Sequence, residues 1–319
     1  MKLVYLGSGR FGIESLEALR RSNHDIDLLV TQPPRPAGRG RKPCPTPVAQ
    51  WASQRTGRAE LIQAENVNDP GIVEKIAACQ PEVIVVIAFG QKIGPALTSL
   101  PTKAAINVHV SLLPKYRGAA PINWAIINGE THTGISIITV SQEMDAGQIL
   151  AQSQTGIKPD ETAGELHDRL ACLAAPLLIE TLDRIADGTA VYTDQDHSQA
   201  TLAPRLKKSD GLLDFNEPAE VLARKIRGLW PWPGASAGYI SKKTGATTRV
   251  TIAMARVTQR TGTGSPPPGT LDENLHVVCG RDALEITRIK PAGSPVMSFK
   301  AFVNGRQTQP GEKFVRLEK

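Results

Sequence analysis

Short apolar runs alternate with helix-period segments through the first half of the chain. The most hydrophobic run, Val83 to Ala88, has no polar residue, which is typical of a strand buried on both faces of a parallel sheet. Ala104 to Val108 predicts a second strand beside it. Elsewhere Ile13, Leu16 and Leu19 recur at the spacing of one helix face. This alternation predicts an α/β domain with a doubly wound, Rossmann-like parallel sheet.

Further elements follow the same rules up to residue 189. Asp69-Pro70 predicts a helix start, because proline is favoured in the first turn of a helix. Thr162 and Glu165 have the spacing of a capping box and predict a helix that Pro176 kinks and that stops before Gly188. More strands are predicted at Leu3–Leu6, Ile26–Thr31 and Gly134–Val140. We therefore predict a first domain at 1–189, followed by a polar linker at 190–205.

The pattern changes in the remaining segment, 206–319. A helix is predicted from Pro218 to Arg227, and Pro231-Trp232-Pro233-Gly234 then interrupts the chain. Only short strands follow, at Thr248–Ala253, His276–Cys279 and Ala283–Ile289. Short strands separated by glycine-rich turns are typical of small barrels. The sequence therefore predicts an OB-like β-barrel as the second domain.

Composition limits where the protein acts. A chain of 319 residues is long enough for two domains with separate cores. We see neither a secretory leader nor a run of about 18 apolar residues, so we expect a cytoplasmic protein that is not inserted into a membrane. Nothing in the sequence indicates an obligate protein partner. Without CxxC or metal-like spacing, the cysteines predict reduced, mostly buried thiols and no bound metal: Cys44, Cys79, Cys172 and Cys279.

Positive charge is concentrated in the C-terminal part. Residues 204–319 carry 19 Lys and Arg against 10 Asp and Glu, whereas the whole chain carries 37 against 31. Such an asymmetry suggests a module that meets a polyanion such as nucleic acid. A solvated basic surface without a partner is the alternative.

Asn107 and His109 stand where a buried strand is predicted to end. Side chains alternate along a strand, so these two point to the same side, at the edge where open α/β sheets bind ligands. We expect Asp145, just beyond the predicted strand Gly134–Val140, to meet them at this carboxyl edge. An imidazole and a carboxamide can hold a developing oxyanion, and a carboxylate can orient or charge the imidazole and relay a proton.

Each of the three residues also has an ordinary structural interpretation. Asn107 could be a turn residue, His109 a loop histidine with satisfied hydrogen bonds, and Asp145 a solvated turn aspartate beside Gly147. For a histidine or an aspartate considered alone, that interpretation is the commoner one. The combination of all three at fixed offsets favours a catalytic site.

The wider motif around these residues resembles a known family. Asn107-Val108-His109 is followed by Ser111-Leu112-Leu113-Pro114-Lys115-Tyr116-Arg117-Gly118, and later by Asp145-Ala146-Gly147. The motif is similar to the signature of the folate-dependent formyltransferases. The resemblance spans nearly the whole chain. It implies a formyltransferase domain, 10-formyltetrahydrofolate as the formyl donor, and Asn107, His109 and Asp145 as the catalytic residues.

One motif favours a different class of protein. Gly7-Ser8-Gly9-Arg10-Phe11-Gly12 is a literal GxGxxG between a predicted strand and a predicted helix, the context of a dinucleotide-binding fingerprint. The fingerprint also needs an acidic residue at the end of the second strand, and the chain has Val30-Thr31-Gln32-Pro33-Pro34 there. Asp27 lies at the start of that strand instead. We therefore interpret the glycines as a tight turn and expect no NAD.

The loop after the second strand indicates the substrate. Arg35, Arg39, Arg41 and Lys42 lie within eight residues, on a segment that glycine and proline should keep out of helix or strand. They suit contact with a phosphate backbone, although a flexible charged loop without a partner is the alternative. Within the family, such a loop resembles that of the enzymes acting on initiator Met-tRNA. Relatives acting on glycinamide ribonucleotide or nucleotide sugars lack it.

The resemblance also implies further site residues. Folate would contact Phe89, Gly90 and the segment Ser111, Leu112, Leu113 and Pro114, with its pterin near Phe89–Ile93 and the backbone between Ile137 and Asp145. The residues implied for tRNA binding are Arg35, Arg39, Arg41, Lys42, Lys207 and Lys208, with Arg39 the most important. The resulting hypothesis is formyl transfer to the methionine α-amine of initiator Met-tRNA. Rival hypotheses are a 10-formyltetrahydrofolate hydrolase, another folate-dependent formyltransferase, and a non-catalytic RNA-binding protein.

Overall fold

The computed structural model describes residues 1–37, 40, 42–54, 59–260 and 266–318. Its strands are β1 Lys2–Gly7, β2 Asp25–Thr31, β3 Arg35–Ala37, β4 Lys42–Cys44, β5 Glu60–Gln63, β6 Val83–Ile87, β7 Ala104–His109, β8 Arg117–Gly118, β9 His132–Thr139, β10 Ile149–Gly156, β11 Leu202–Ala203, β12 Ala235–Ile240, β13 Thr247–Thr258, β14 Val277–Val278, β15 Ala283–Pro291, β16 Met297–Ser298 and β17 Lys313–Val315. Its α-helices are α1 Ile13–Arg21, α2 Pro47–Ser53, α3 Pro70–Ala78, α4 Pro95–Thr98, α5 Pro121–Ile127, α6 Ala163–Ala186, α7 Ala219–Gly228 and α8 Phe299–Arg306. Short 3-10 turns lie at Arg10–Gly12, His197–Gln199 and Lys208–Gly211.

The contacts divide the chain into two compact units. The first comprises Met1–Pro121, His132–Gly156 and His167–Ala203, and the second Ile122–Thr131, Ile157–Leu166 and Pro204–Lys319. The predicted domain limits and the linker at 190–205 stay predictions. None of the helices in the described ranges is long and apolar enough to cross a membrane.

A seven-stranded sheet forms the centre of the first unit, in the order β10-β9-β7-β6-β1-β2-β5. Strand β6 lies between β1 and β7, is parallel to both and is buried at every position, as its unbroken apolar run predicted. Helix α3 starts at the predicted Asp69-Pro70, and α6 starts at the predicted capping box. There the Glu165 carboxylate accepts hydrogen bonds from the backbone N–H and the hydroxyl of Thr162. The predicted Rossmann-like class is confirmed.

One edge of this sheet runs against the doubly wound pattern. Strand β9 is antiparallel to β7, with Ile106 paired to Thr139 and His109 paired to Ser136. Strand β10 is in turn antiparallel to β9. The end of β9 therefore lies at the opposite edge of the sheet from the end of β7. An apolar run sets the existence of a strand but not its direction, so the sequence did not indicate this reversal.

The second unit contains a nearly closed antiparallel barrel. Its strand order is β14-β15-β13-β12-β17, with β16 added beside β15. Residues 269–271 bridge the two ends of this order, because Gly269 accepts from the Phe314 N–H while its own N–H donates to the Val278 carbonyl. One face of α7, including Leu222 and Ile226, is buried in the barrel core. The predicted small barrel is confirmed.

The cysteines depart from one expectation. All four are free thiols, as predicted, but only Cys279 is buried. Cys44 and Cys172 are exposed, and Cys79 is half-buried. The expectation of mostly buried thiols was wrong because Cys44 lies on the exposed strand β4 and Cys172 on the outer side of α6.

Close packing of glycine against Tyr5 shapes the turn after β1. The fully buried Tyr5 side chain donates from its hydroxyl to the Gly12 carbonyl at 3.2 Å, and burial raises the pKa of its phenol. A Cβ atom on Gly12 would lie 2.0 Å from the Tyr5 Oη but 3.3 Å from its Cζ. The backbone N–H groups of Ser8 and Gly9 donate to the Ala88 carbonyl. The GxGxxG segment is thus a packed turn whose first amides already have partners within the protein.

We expect Gly12→Ala to lower the free energy of unfolding by about 1–3 kcal/mol, since the added methyl overlaps a phenol that cannot move freely. Combining it with Tyr5→Phe removes the overlapping oxygen. The double variant should therefore lose less unfolding free energy than the two single variants lose in sum. Gly71→Ala is the control: its Cβ meets no atom within 4 Å, and it should be neutral or stabilising by up to about 1 kcal/mol. Urea unfolding measures all four variants. Strict additivity of the Tyr5 and Gly12 effects would contradict the proposed overlap.

Candidate active site

The site begins with two side chains at the end of β7. Asn107 is half-buried and His109 is buried, and both reach the carboxylate of Asp145. The Asn107 Nδ2 lies 3.4 Å from the Asp145 Oδ1, and the His109 Nδ1 lies 3.5 Å from the Asp145 Oδ2. The structure therefore brings the three predicted catalytic residues together, on the side of β7 to which Asn107 and His109 point.

The route by which Asp145 arrives differs from the expected one. Because β9 is antiparallel to β7, its end does not lead to the carboxyl edge where His109 stands. The loop 140–148 folds back instead, with the Val140 N–H bonded to the Ala105 carbonyl and the Ile149 side of the loop returning along β9. Asp145 itself has the left-handed backbone conformation, with φ of +53°. A non-glycine residue in this region marks a backbone held by its surroundings.

Oxygen atoms face both nitrogens of the His109 ring. The Nε2 lies 3.0 Å from the Tyr116 carbonyl oxygen, and the Nδ1 faces the Asp145 carboxylate. A carbonyl accepts and never donates, so the Nε2 carries a hydrogen in this arrangement. The short contact fixes the plane of the ring, while the 3.5 Å contact leaves the Nδ1 side loosely held.

Asp145 is held more firmly by the backbone than by Asn107 and His109. The Gly118 N–H donates to the Asp145 Oδ2 at 2.9 Å, which is shorter than either the Asn107 or the His109 contact. The Asp145 side chain is only 13% exposed. A carboxylate anchored from one side and loosely contacted from the other can exchange partners with a bound substrate without moving.

The predicted folate segment 111–114 is fastened to the sheet by Ser136. The buried Ser136 hydroxyl donates to the Ser111 carbonyl at 2.7 Å and accepts from the Leu113 N–H at 3.1 Å. Gln152 adds a bond to the Leu113 carbonyl at 2.9 Å. The Ser111 hydroxyl itself donates to the Lys115 carbonyl at 2.6 Å. Ser111 and Leu113 are buried, whereas Leu112 and Pro114 are half-buried, and Leu113-Pro114 is a cis peptide.

Phe89 and Gly90 lie at the end of β6, beside this site in the sheet order. Phe89 is 2% exposed and belongs to an apolar core with Val86 and Ile93. Its carbonyl accepts from the Gln32 side-chain amide at 2.7 Å, and Gly90 has φ of +78°. A folate contact at these two residues stays a prediction. Because Phe89 is buried and Gly90 has no side chain, such a contact would involve their backbone.

The structure describes some, but not all, of the residues predicted to contact tRNA. Arg35 and Lys42 are exposed, on the antiparallel strands β3 and β4. The expectation that this loop forms no strand was wrong at both ends, because proline is compatible with a short two-stranded ribbon when its nitrogen faces outward. Arg39 and Arg41 lie outside the described residues. Lys207 and Lys208 are exposed at the start of the 3-10 turn Lys208–Gly211.

Three residues of the site were missed by sequence reasoning. Arg117 belongs to the quoted motif, but no role followed from the sequence, and Ser136 lies within a strand whose partners could not be predicted. Gln195 lies in the polar connection after α6, which was interpreted only as a linker. A lone glutamine in a polar stretch gives no signal of burial. Among the described residues, no three His, Cys, Asp or Glu side chains cluster in a way that could hold a metal ion.

Comparison with known proteins identifies the family of this chain. The formyl transferase family model matches residues 1–182, and the model of the formyl transferase C-terminal domain matches residues 205–307. A methionyl-tRNA formyltransferase of Trichlorobacter lovleyi is 39% identical over 308 residues, covering 95% of this chain and 94% of that protein. A methionyl-tRNA formyltransferase of Solibacter usitatus is also 39% identical, with 98% of each chain covered.

Solved structures of lower identity share the fold. An N-formyltransferase from Helicobacter canadensis, solved with folinic acid and dTDP-3-aminofucose, is 17% identical with a TM-score of 0.64, covering 91% of this chain and 98% of that chain. HypX from Aquifex aeolicus, solved with tetrahydrofolic acid, is 15% identical with a TM-score of 0.61. The match covers 95% of this chain but only 47% of HypX, so the chain spans about half of that protein. With two family models along its length and relatives at 39% identity, the chain belongs to the formyl transferase family, and within it to the methionyl-tRNA formyltransferases.

Proposed function

We propose that this protein transfers a formyl group from 10-formyltetrahydrofolate to the α-amine of methionine on initiator Met-tRNA. The observation that carries the proposal is the meeting of Asn107, His109 and Asp145 at the end of β7. The acceptor is taken from the relatives named methionyl-tRNA formyltransferase, which match along nearly the whole chain. The donor is supported by family membership and by the folate compounds in two structures of the same fold.

In the proposed reaction the amine nitrogen attacks the formyl carbon. The new C–N bond forms, the carbonyl oxygen becomes an oxyanion, and the bond from the formyl carbon to the folate nitrogen then breaks. Asn107 Nδ2 and His109 Nδ1 are the proposed oxyanion donors, because each holds Asp145 only through a long contact of 3.4 or 3.5 Å. Since the Nε2 already carries a hydrogen, the Nδ1 donates when the ring is positively charged. The formyl carbon keeps its oxidation level, so the chemistry itself requires no NAD.

Asp145 is the proposed proton acceptor. The attacking amine becomes positively charged, and the carboxylate can take its proton while remaining fixed by the Gly118 N–H at 2.9 Å. Protonation removes the negative charge of Asp145, so Asn107 and His109 become free to stabilise the oxyanion instead. The proton is then delivered to the leaving folate nitrogen. If the proton moves as the C–N bond forms, the carboxylate loses its charge while the oxyanion gains charge, so the same two donors pass from one to the other.

A single assay tests the function. The purified protein is mixed with charged initiator Met-tRNA and 10-formyltetrahydrofolate, and formyl-methionine is measured after the ester bond is cleaved. Formate release without tRNA would indicate a folate hydrolase instead. Formylation of a small amine but not of Met-tRNA would indicate another formyltransferase, and tRNA binding without turnover would indicate an RNA-binding protein. Because Met-tRNA is used where translation takes place, we place the protein in the cytoplasm.

The basic residues at 35–42 are proposed to contact tRNA phosphates. We expect Arg35→Ala and Lys42→Ala each to weaken tRNA binding and to flatten its salt dependence by roughly 0.7 to 0.9 in log-log slope per lost contact. Arg39→Ala should have the largest effect of the loop variants. Lys75→Ala, an exposed position on α3, is the charge-matched control. Binding titrations at several salt concentrations give the slopes, and loop variants with unchanged slopes would contradict the contact.

A further inference from the structure

One buried side chain outside the predicted site holds the loop that carries Asp145. Gln195, which is 5% exposed, donates from its Nε2 to the carbonyl of Asp145 at 2.9 Å and to that of Gly147 at 2.7 Å. It is 50 residues away from Asp145 along the chain. The same amide thus bonds to two carbonyls of the short segment 145–147, which begins with the residue whose backbone has φ of +53°.

Arg117 determines which way the Gln195 amide points. Arg117 is 5% exposed, and its guanidinium reaches the Gln195 Oε1 from the Nε at 3.2 Å and from an Nη at 2.7 Å. A guanidinium has only donors, so the atom that it contacts must be the amide oxygen. The amide nitrogen is then directed at the two loop carbonyls. A glutamine satisfies both requirements at once, and a carboxylate satisfies only the first.

The contacts form a closed path through neighbouring residues. Arg117 is followed by Gly118, whose N–H donates to the Asp145 carboxylate. Both residues belong to β8, which pairs with β11 through the registers Arg117 to Leu202 and Gly118 to Ala203. The Asp145 side chain is therefore bonded to Gly118 and its backbone to Gln195, and Arg117 is linked to both of these residues. A shift of Gly118 or of Gln195 changes where the carboxylate lies relative to His109.

We propose that Gln195, oriented by Arg117, is a positioning residue that sets the place of the Asp145 carboxylate for formyl transfer. Gln195 contacts Asp145 only through the backbone and acts on the reaction through it. The inference rests on the proposed function, because it requires Asp145 to take part in catalysis. It gives a role in the reaction to Gln195, in the segment 190–205, and to Arg117, in the motif that follows His109.

The sharpest test is Gln195→Glu. The carboxylate keeps the size of the side chain and the Arg117 contact, but it turns an acceptor oxygen toward the carbonyls of Asp145 and Gly147. We expect kcat for formyl-methionine synthesis to fall by roughly 10- to 100-fold, the range expected when a reacting group is displaced by about 1 Å. The KM values for Met-tRNA and 10-formyltetrahydrofolate should change by less than about three-fold, because substrate contacts stay in place.

Gln80→Glu is the matched control. This glutamine is exposed beyond the end of α3, before β6 starts at the opposite edge of the sheet from His109. It makes the same chemical change and should leave kcat and both KM values unaltered. Gln195→Met serves as the second variant: it keeps the volume, removes the amide without introducing repulsion, and should lower kcat less than Gln195→Glu does. A thermal melt of each variant confirms that the folded protein is being assayed.

A double-mutant cycle with Asp145→Asn separates the inference from the proposed function. If Gln195 acts through Asp145, Gln195→Glu should cause little further loss of kcat in the Asp145→Asn background. Equal losses in both backgrounds, or normal kcat for folded Gln195→Glu and Gln195→Met, would overturn the positioning role. Normal turnover of Asp145→Asn alone would instead overturn the proposed catalytic site.

Discussion

His109→Ala should lower the turnover of formyl-methionine synthesis by on the order of 100- to 1,000-fold, the usual cost of removing one oxyanion donor. The imidazole is buried, and its Nε2 bond to the Tyr116 carbonyl orients the ring so that the Nδ1 faces Asp145. Alanine cannot replace that donor, and water would enter the gap. Tyr116 and Asp145 keep their other bonds, to the Thr201 hydroxyl and the Gly118 N–H, so the surrounding loops should stay in place.

Asn107→Ala should cause a loss of the same order, because the two donors act on one oxygen and neither suffices alone. His132→Ala, at the exposed start of β9, is the matched histidine control and should keep normal turnover. Single-turnover kinetics with saturating Met-tRNA separate the chemical step from substrate binding, and tRNA affinity should be unchanged in all three variants. Near-normal single-turnover rates for His109→Ala would show that the oxyanion is held elsewhere.

The strand that carries Asn107 and His109 could be predicted because its apolar sequence agrees with its buried place in the sheet. Ala104 to Val108 is an apolar run, and Val83 to Ala88 is still more apolar. The two runs form adjacent parallel strands of the sheet. Side-chain alternation then places Asn107 and His109 on one side. This placement requires only the two-residue period of a strand, so sequence reasoning succeeds for this half of the site.

The position of Asp145 could not be predicted in the same way. The direction of β9 is decided by the connection through α5 and by pairing with β7, neither of which has a local sequence signal. The meeting of Asp145 with His109 depends on a reversal of the loop 140–148 and on the distant Gln195. A turn held by residues far away in sequence is a tertiary property. The sequence predicted the meeting from the place of Asp145 just beyond the end of a strand, but that end lies at the opposite edge of the sheet, so the contacts are observed while the expected route to them was wrong.

One other departure has a similar cause. The basic loop at 35–42 was expected to be irregular because it contains proline and glycine, yet its ends pair as β3 and β4. These residue types were interpreted by their most common use, and strand pairing decides the actual structure. The glycines between residues 7 and 12 were interpreted as a tight turn, and the bulk of Tyr5 gives the physical reason for Gly12.

Gly147→Ala should reduce formyl transfer by roughly 100-fold while leaving Asn107, His109 and Asp145 chemically intact. A Cβ at position 147 would lie 1.8 Å from the Thr139 carbonyl oxygen, whereas real Cβ atoms stay beyond 3.0 Å. The loop must therefore move by roughly 1 Å, and a displacement of that size can cost on the order of 100-fold in rate. The Gly147 carbonyl also accepts from Gln195, so the movement disturbs the hold on Asp145.

The contrast with His109→Ala distinguishes lost geometry from a lost donor. Imidazole in the buffer can enter the gap left by His109→Ala and partly restore turnover, but it cannot restore Gly147→Ala, in which every donor is still present. The control is Ala146→Ser, which changes the adjacent half-buried residue by one oxygen without the clash at 147 and should retain most of the activity. Steady-state kinetics with and without imidazole measure both effects. Normal turnover of Gly147→Ala would mean that Asp145 tolerates displacement, so the site would not depend on where this loop is held.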